Sequence, residues 1–364
     1  MRTLQQYRLL FSFLLISTLL VGCDKSATTT PAEKSEASES ANKDASDAEA
    51  ASGSKATPSD NETAPSEIEP ATPVELNAPS GQSNSEKTSQ VDHNDPTSYP
   101  VTKLAEKQDG QLLMLSWNVE SDGAEAETVC KELTELNSGD RYDVVTLTEV
   151  LPEDLKKFRL ALGKHYKYAY SKSGRNDRLQ ILYNEDKFEQ VRFFEIKEVN
   201  VSGRYRAPLV VHLKERKTDA RPDEIEFLVM VNHLARGKAH IRQEQATKLV
   251  EWAREQTLPV FGLGDYNFDY VFATDKGNPA FVNFMQDNIW RWVKPTALVD
   301  TNWYDNPEEP DGKDDYPGSM LDFAFVAGPA KDWKSSCQII VRENDFPDDE
   351  KTSDHRPYEV TTQK

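Results

Sequence analysis

The chain has 364 residues, with 43 Lys or Arg against 62 Asp or Glu and a formal net charge of −19 at pH 7. An acidic surplus of that size argues against a general polyanion binder, because nonspecific affinity for nucleic acid comes from clustered Lys and Arg. The acidity is spread along the chain, with 7 basic and 15 acidic residues in positions 1–100 and 36 against 47 in the remainder.

In chain order, Arg2 and Arg8 precede an apolar run from Leu9 to Val21, too short to span a bilayer comfortably and followed at once by small and polar residues. That is the pattern of an export signal over residues 1–22. Its end, Leu20-Val21-Gly22-Cys23, resembles the lipobox of bacterial lipoproteins, and the resemblance implies that Cys23 carries lipid and anchors the chain in the cell envelope. Residues 23–99 are Ala, Ser, Thr, Glu, Asp and Pro with almost no large apolar side chain, so they read as a disordered tether. Residues 100–364 then form one domain, long enough for a substantial core.

Within that domain, apolar runs of strand length alternate with amphipathic helical patterns. Leu112 to Trp117 ends at Asn118, Asp143 to Leu147 near Glu149, Phe227 to Val231 near His233, and Val260 to Leu263 at Asp265. Helices are expected over Ala124 to Leu136, over Pro152 to Leu162 with the proline in the first turn, and over Ile241 to Arg254. Cys130 shares the apolar face of the first helix, so it and Cys337 read as buried thiols more than as a disulfide. Alternating strands and helices argue for an α/β domain with its active groups gathered beyond the strand ends. Two later clusters are placed the other way round: Asp322 opens the run DFAFVA, and Ser353-Asp354-His355 precedes Pro357 to Val360. Strands antiparallel to the first four would bring these beginnings to the edge where the others end. Residues two apart on a strand point the same way, so Asp265 and Asn267 are expected to share one target.

The ordered motifs SWNVE, LTEV, NHL, GLGDYN, LDFAF and TSDHRP resemble the endonuclease/exonuclease/phosphatase superfamily, Mg²⁺-dependent phosphoesterases with the deoxyribonuclease-like fold. The resemblance covers about Gln111 to Val360 and implies a four-layer α/β/β/α sandwich with two packed mixed β-sheets. It also implies roles. Asn118 and Glu149 would hold the metal, Mg²⁺ or alternatively Mn²⁺, with support from Asp354. Asp265 would orient the attacking water, Asn267 would stabilise the transition state, and His233 would contact or protonate a phosphoryl or leaving-group oxygen. His355, fixed in its tautomer by Asp322, would act as general base or charge stabiliser. Arg206 resembles an arginine that reaches the active site ahead of a core strand, although neighbouring Arg204 could equally be the one that points inward.

The chain departs from the family pattern at Thr148, where glutamine is usual, and at Tyr266, where phenylalanine is usual; both bear on packing. Asp305 to Asp315 reads as a solvated acidic loop, since it lacks the ligand spacing of a calcium loop. Phe193-Phe194, flanked by charges, reads as core strand and not as a membrane-entry hairpin. The expected function is a monomeric, exported, membrane-anchored phosphodiesterase acting on nucleic acid, helped by the basic stretches Lys172 to Arg178 and Arg236 to Arg242. The alternative is hydrolysis of a lipid or small soluble phosphate ester. A non-catalytic surface module would be expected to lose Glu149, Asp265 or His355, and all three are present.

Overall fold

Leu112–Asn118 forms the first strand, β1, and its alternation sorts the residues between two layers: Leu113, Leu115 and Trp117 face outward helices, while Met114 faces the interior between the sheets. The computed structural model describes residues 92–217, 224–349 and 351–364. The expected export signal, Cys23 and most of the tether lie outside these described residues.

After β1 come α1 (Ala126–Leu136), β2 (Val144–Val150), α2 (Leu155–Leu162), β3 (Tyr166–Tyr170), β4 (Arg178–Asn184), β5 (Phe188–Glu195), β6 (Leu209–Glu215) and β7 (Glu226–His233). The chain continues through α3 (Ala239–Arg254), β8 (Val260–Val271), α4 (Pro279–Met285), β9 (Trp290–Trp292), β10 (Ser319–Ala327), β11 (Lys334–Ile339) and β12 (Tyr358–Gln363). They make two six-stranded sheets, ordered β11-β12-β1-β2-β4-β3 and β5-β6-β7-β8-β10-β9. Both are mixed, because β1 with β2 and β7 with β8 pair in parallel, whereas β12 runs antiparallel to β1 and β10 antiparallel to β8. The late strands thus begin where the early ones end. Helices α1 and α2 cover the outer face of the first sheet through Val129, Leu133, Leu155 and Phe158. Leu249 and Val250 of α3 and Phe284 of α4 join the larger core built on the second sheet. The result is the expected four-layer sandwich.

Several local expectations change. The strand expected to stop at Asp265 runs on to Val271, because a bulge lets the chain pass the polar residues without leaving the sheet: Asp322 of β10 faces Asp265, yet Met320 faces Tyr270. Pro152 lies outside α2, in a turn closed by Asp154 N–H donating to Leu151 O at 3.0 Å. Proline suits such a turn because its φ is already set for it. Phe193 is 48% exposed on β5, an edge strand, and only Phe194 packs partly against the core. Cys130 and Cys337 are free thiols, the second buried in β11.

The packed chain also begins upstream of residue 100. Pro96 is buried, and its carbonyl accepts from Nη2 of the buried Arg356 at 2.9 Å. Tyr99 Oη donates to Asp300 Oδ2 at 2.7 Å within the interior. Pro96 and Tyr99 are the apolar and aromatic residues in an otherwise polar stretch, and these are the ones that dock.

Candidate active site

Asn118 closes β1, and parallel pairing sets Thr148 of β2 beside it. Glu149 follows within a second bulge, where Leu147 pairs with Gln180 but Val150 pairs with Arg178. Its φ of 56° lies in the left-handed region, which turns its carboxylate off the strand's regular alternation and toward Asn118. Asn118 Nδ2 donates to Glu149 Oε1 at 2.9 Å and lies 3.4 Å from Asp265 Oδ2. The carboxamide therefore bridges carboxylates supplied by two different sheets.

Asp265 is reached through Gly264, whose φ of 126° favours glycine and where an added Cβ would stand 2.2 Å from Asn232 O. That close approach lets β8 lie against β7, so that His233 and Asp265 pair in register. His233 Nε2 lies 3.5 Å from Asp265 Oδ2 and 3.6 Å from Glu149 Oε1. Asn267, with φ 51°, is turned by the bulge and does not simply repeat the direction of Asp265. Its backbone N–H donates to Asp265 Oδ1 at 2.9 Å and its Nδ2 to Leu234 O at 3.1 Å. Its Oδ1 is buried without a hydrogen-bond partner.

The other half of the site is a buried imidazole–carboxylate pair. His355 Nδ1 lies 2.7 Å from Asp322 Oδ2, and Thr301 Oγ1 accepts the backbone N–H groups of Leu321 and Asp322. His355 Nε2 is left facing Asp354 Oδ1 at 3.8 Å and Asp265 Oδ2 at 4.0 Å. Burial is the largest single influence on this ring and disfavours its charge. It is outweighed by Asp322, Asp354 and Asp265, which together hold the imidazole well above its usual value. The pull of these carboxylates favours the charged form of the ring, with Nε2 the nitrogen that faces the centre. Ser353 Oγ donates to Asn118 O at 2.5 Å, and Trp117 Nε1 donates to His355 O at 2.8 Å, tying this segment to the end of β1.

Arg206, not the exposed Arg204, points inward. Its Nε donates to His233 O at 3.0 Å, and its Nη1 pairs with Asp177. Asp177 Oδ1 lies 3.7 Å from His233 Nδ1. Burial raises the Asp177 carboxyl, but His233 and Arg206 overcome it and hold it below its usual range. Arg206 thus braces His233 from behind, and the brace residue Asp177 was missed because it sits in a stretch that reads as basic.

Glu120 was missed as well. Its Oε2 accepts the Asp354 N–H at 3.0 Å. Burial first, then Asp354, Asp348 and Glu149, push the Glu120 carboxyl up to about 8. Asp354 is pushed up to about 6, again by burial first and then by Glu149 and Asp348, against the opposing charges of His355 and Arg236. Carboxyls that resist ionising in one place are a charge deficit that a cation would relieve. Among the described residues, the group able to close around one ion is Glu149, His233 and Asp265, whose ligand atoms all lie within 4.8 Å of one another. Asp354, expected to support the metal, lies outside that trio on the Glu120 side. Two carboxylates, an imidazole and the adjacent Asn118 carboxamide are a donor set that fits a divalent ion.

A sandwich of this topology, with an amide, carboxylates and an imidazole–carboxylate pair converging at the strand ends of both sheets, is that of a hydrolytic phosphoesterase. The chain belongs to the Endonuclease/Exonuclease/phosphatase family, whose profile matches residues 115–355. No curated protein matches the sequence. Among solved structures it is similar to an endonuclease/exonuclease/phosphatase family protein from Bacteroides thetaiotaomicron, at 19% identity and TM-score 0.51 over 69% of this chain and 94% of that one. It is also similar to D. rerio TDP2 complexed with single strand DNA product, at 15% identity and TM-score 0.54 over 70% and 100%. A mannosyl-6-phosphatase of Bacteroides thetaiotaomicron matches at 19% identity and TM-score 0.50 over 68% and 98%. At such identities the likeness is one of fold.

Proposed function

We propose that this protein is a divalent-metal-dependent phosphodiesterase that cleaves nucleic acid in the cell envelope, held at the membrane through lipid on Cys23. The observation that carries the catalytic part is the convergence of Asn118, Glu149, His233, Asp265 and the Asp322–His355 pair within hydrogen-bonding or ion-pairing reach of one another. Glu149 and Asp265, with Asn118 turning its amide oxygen inward or His233 offering Nε2, would hold Mg²⁺ or Mn²⁺. When bound, such an ion neutralises phosphate charge and polarises the phosphoryl group. The protein's own groups do the rest. His355 donates from Nε2 to a phosphoryl oxygen, Asp322 fixes the ring so that only Nε2 faces the substrate, and Asp265 orients the attacking water. His233, braced by Arg206 and Asp177, stands beside the leaving-group oxygen.

Nucleic acid is favoured by exposed cations near this centre: Lys172 and Arg175 on the loop before Asp177, and Arg236 and Lys238 after His233. Arg242, read with the latter stretch, is buried against Ala235 O and Asp269 and is not free for phosphate. A second reading, hydrolysis of a small soluble phosphate ester, draws support from the net charge of −19, which disfavours long polyanions. A substrate panel with Mg²⁺ separates them: plasmid, single-stranded DNA, RNA, sugar phosphates and sphingomyelin. Turnover confined to sugar phosphates would displace the nuclease reading. Cys23→Ser is expected to move the protein from the membrane fraction to the soluble fraction. Retention at the membrane would refute the lipid anchor.

A further inference from the structure

Beside the catalytic groups lies a 650 Å³ cleft whose walls include Arg236, Asp269, Asn302, Tyr304, Asp315 and Tyr316. Its volume is within the roughly 300–1,000 Å³ of ligand sites. Three connections place it next to the reacting centre. Asn302 forms a bridge with His355, Trp303 N–H donates to Asp354 O at 2.8 Å, and Asp269 follows Asn267 by two residues on β8.

The two tyrosines are the unexplained feature. Their ring centroids are 5.9 Å apart with planes tilted by 34°, and the Arg236 guanidinium lies 5.6 Å over the Tyr304 ring. Yet Tyr316 is 59% exposed and Tyr304 36%, so an aromatic surface backed by a cation faces solvent at the mouth of an active site. The loop carrying them is ordered by its own acids: Asp314 Oδ1 accepts from the N–H groups of Tyr304 and Tyr316, and Asp305 accepts from Asp311 and Gly312. The segment read as a solvated acidic loop is thus folded so as to present both rings.

We infer that Tyr316 and Tyr304 form a stacking subsite for an unpaired base next to the scissile phosphate, making single-stranded nucleic acid the preferred substrate. The inference rests on the nuclease reading above and narrows it. A base offers a flat face to Tyr316, as stacking requires. Asp269 and Asp315 in the walls would repel a second phosphate but can accept from a base's amino groups, so the cleft takes the uncharged part of a nucleotide. Arg236 stands between the rings and the Asp354 side of the centre, where the neighbouring phosphate would lie. In a duplex, the base faces are already stacked and unavailable to tyrosine.

The test uses the mature chain without its lipid and a short single-stranded oligonucleotide, intact or carrying one tetrahydrofuran abasic residue beside the cleaved bond. Binding is read by fluorescence anisotropy in EDTA, and cleavage is read separately with Mg²⁺. The wild-type protein is expected to bind and cut the intact strand roughly ten-fold better than the abasic one. Tyr316→Ala should collapse that ratio toward one, Tyr316→Phe should keep it because the ring remains, and a blunt duplex of the same sequence should be the poorer substrate. If wild type cuts oligonucleotides but Tyr316→Ala keeps the intact-to-abasic ratio, the subsite is refuted and the nuclease reading stands. If wild type cuts no oligonucleotide and instead hydrolyses a sugar phosphate, both fall together.

Discussion

Starting the chain at Val101 should destabilise the domain, although composition alone marks everything before residue 100 as tether. The truncation removes the Pro96 carbonyl from the Arg356 guanidinium at 2.9 Å and the Tyr99 hydroxyl from Asp300 at 2.7 Å. Hydrogen bonds to charged groups contribute about 1.5–3 kcal/mol each. Burial of an aromatic ring adds about 2 kcal/mol. Water reaching the uncovered Arg356 and Asp300 restores part of the loss, so about 3–5 kcal/mol remains. Arg356 also loses the Tyr99 ring, 5.5 Å from its guanidinium, but keeps Asp345, which still accepts from Nε and Nη2 at 2.8 Å. For a domain of this size, the loss corresponds to a fall of about 6–20 °C in Tm. The assay is urea unfolding of chains starting at residue 82 and at Val101, with Tyr99→Phe in the longer chain expected to lose about 1–3 kcal/mol alone. Equal unfolding free energies for the two lengths, within 1 kcal/mol, would refute the reasoning and return residues 92–100 to the tether.

Glu149→Gln removes one carboxylate of the candidate metal trio, so Mg²⁺ affinity measured by calorimetry should collapse and excess metal should partly restore turnover. His355→Asn should instead lower turnover on the order of a hundred-fold or more with metal affinity near wild type, and Asp322→Asn should do the same more weakly. Loss of metal by His355→Asn would overturn its assignment as a substrate-facing donor. Stability in EDTA should decline as pH rises from about 5 to about 8. The folded protein holds protons on Glu120 and Asp354 that the unfolded chain releases near its ordinary carboxyl values, so folding is favoured below the raised values and penalised above them. The raised His355 acts in the same direction, its contribution being lost as pH climbs through its folded value. Mg²⁺ should therefore raise Tm more at pH 8 than at pH 6, and a flat profile in EDTA would show that the acids are not crowded.

Much of the site was legible because its chemistry lies at the ends of apolar runs, where period-two alternation gives way to Asn118, Glu149, His233 and Asp265. The late antiparallel strands could be placed from their opening residues, Asp322 and His355. What could not be read depends on backbone irregularity and distant contacts. Neither bulge leaves a periodic trace, so the continuation of β8 to Val271 and the turning of Asn267 were hidden. Charge counting concealed Asp177 inside KSGRNDR and passed over the tyrosines that flank the acidic loop, Tyr304 before it and Tyr316 after it. Phe193 was assigned to the core because sequence shows a strand but not whether it lies at a sheet edge.

The site is assembled from two sheets that meet only when the sandwich closes. Asn118, Glu149 and His355 come with the first sheet, and His233, Asp265 and Asp322 with the second. The hydroxyl of Tyr358 in β12 crosses between them, accepting from Gly264 N–H at 2.7 Å and donating to Phe323 O at 2.5 Å. Each sheet can therefore complete its own strand pairing, and with it the Asn118–Glu149 or the His233–Asp265 contact, before the contacts between the sheets, His355 with Asp322 and Asn118 with Asp265, have formed. On refolding from urea, ellipticity should recover before turnover does, with the lag set by docking of the two halves. An intermediate caught in that interval would be rich in strand, expose the apolar faces of both sheets and be unable to cut anything.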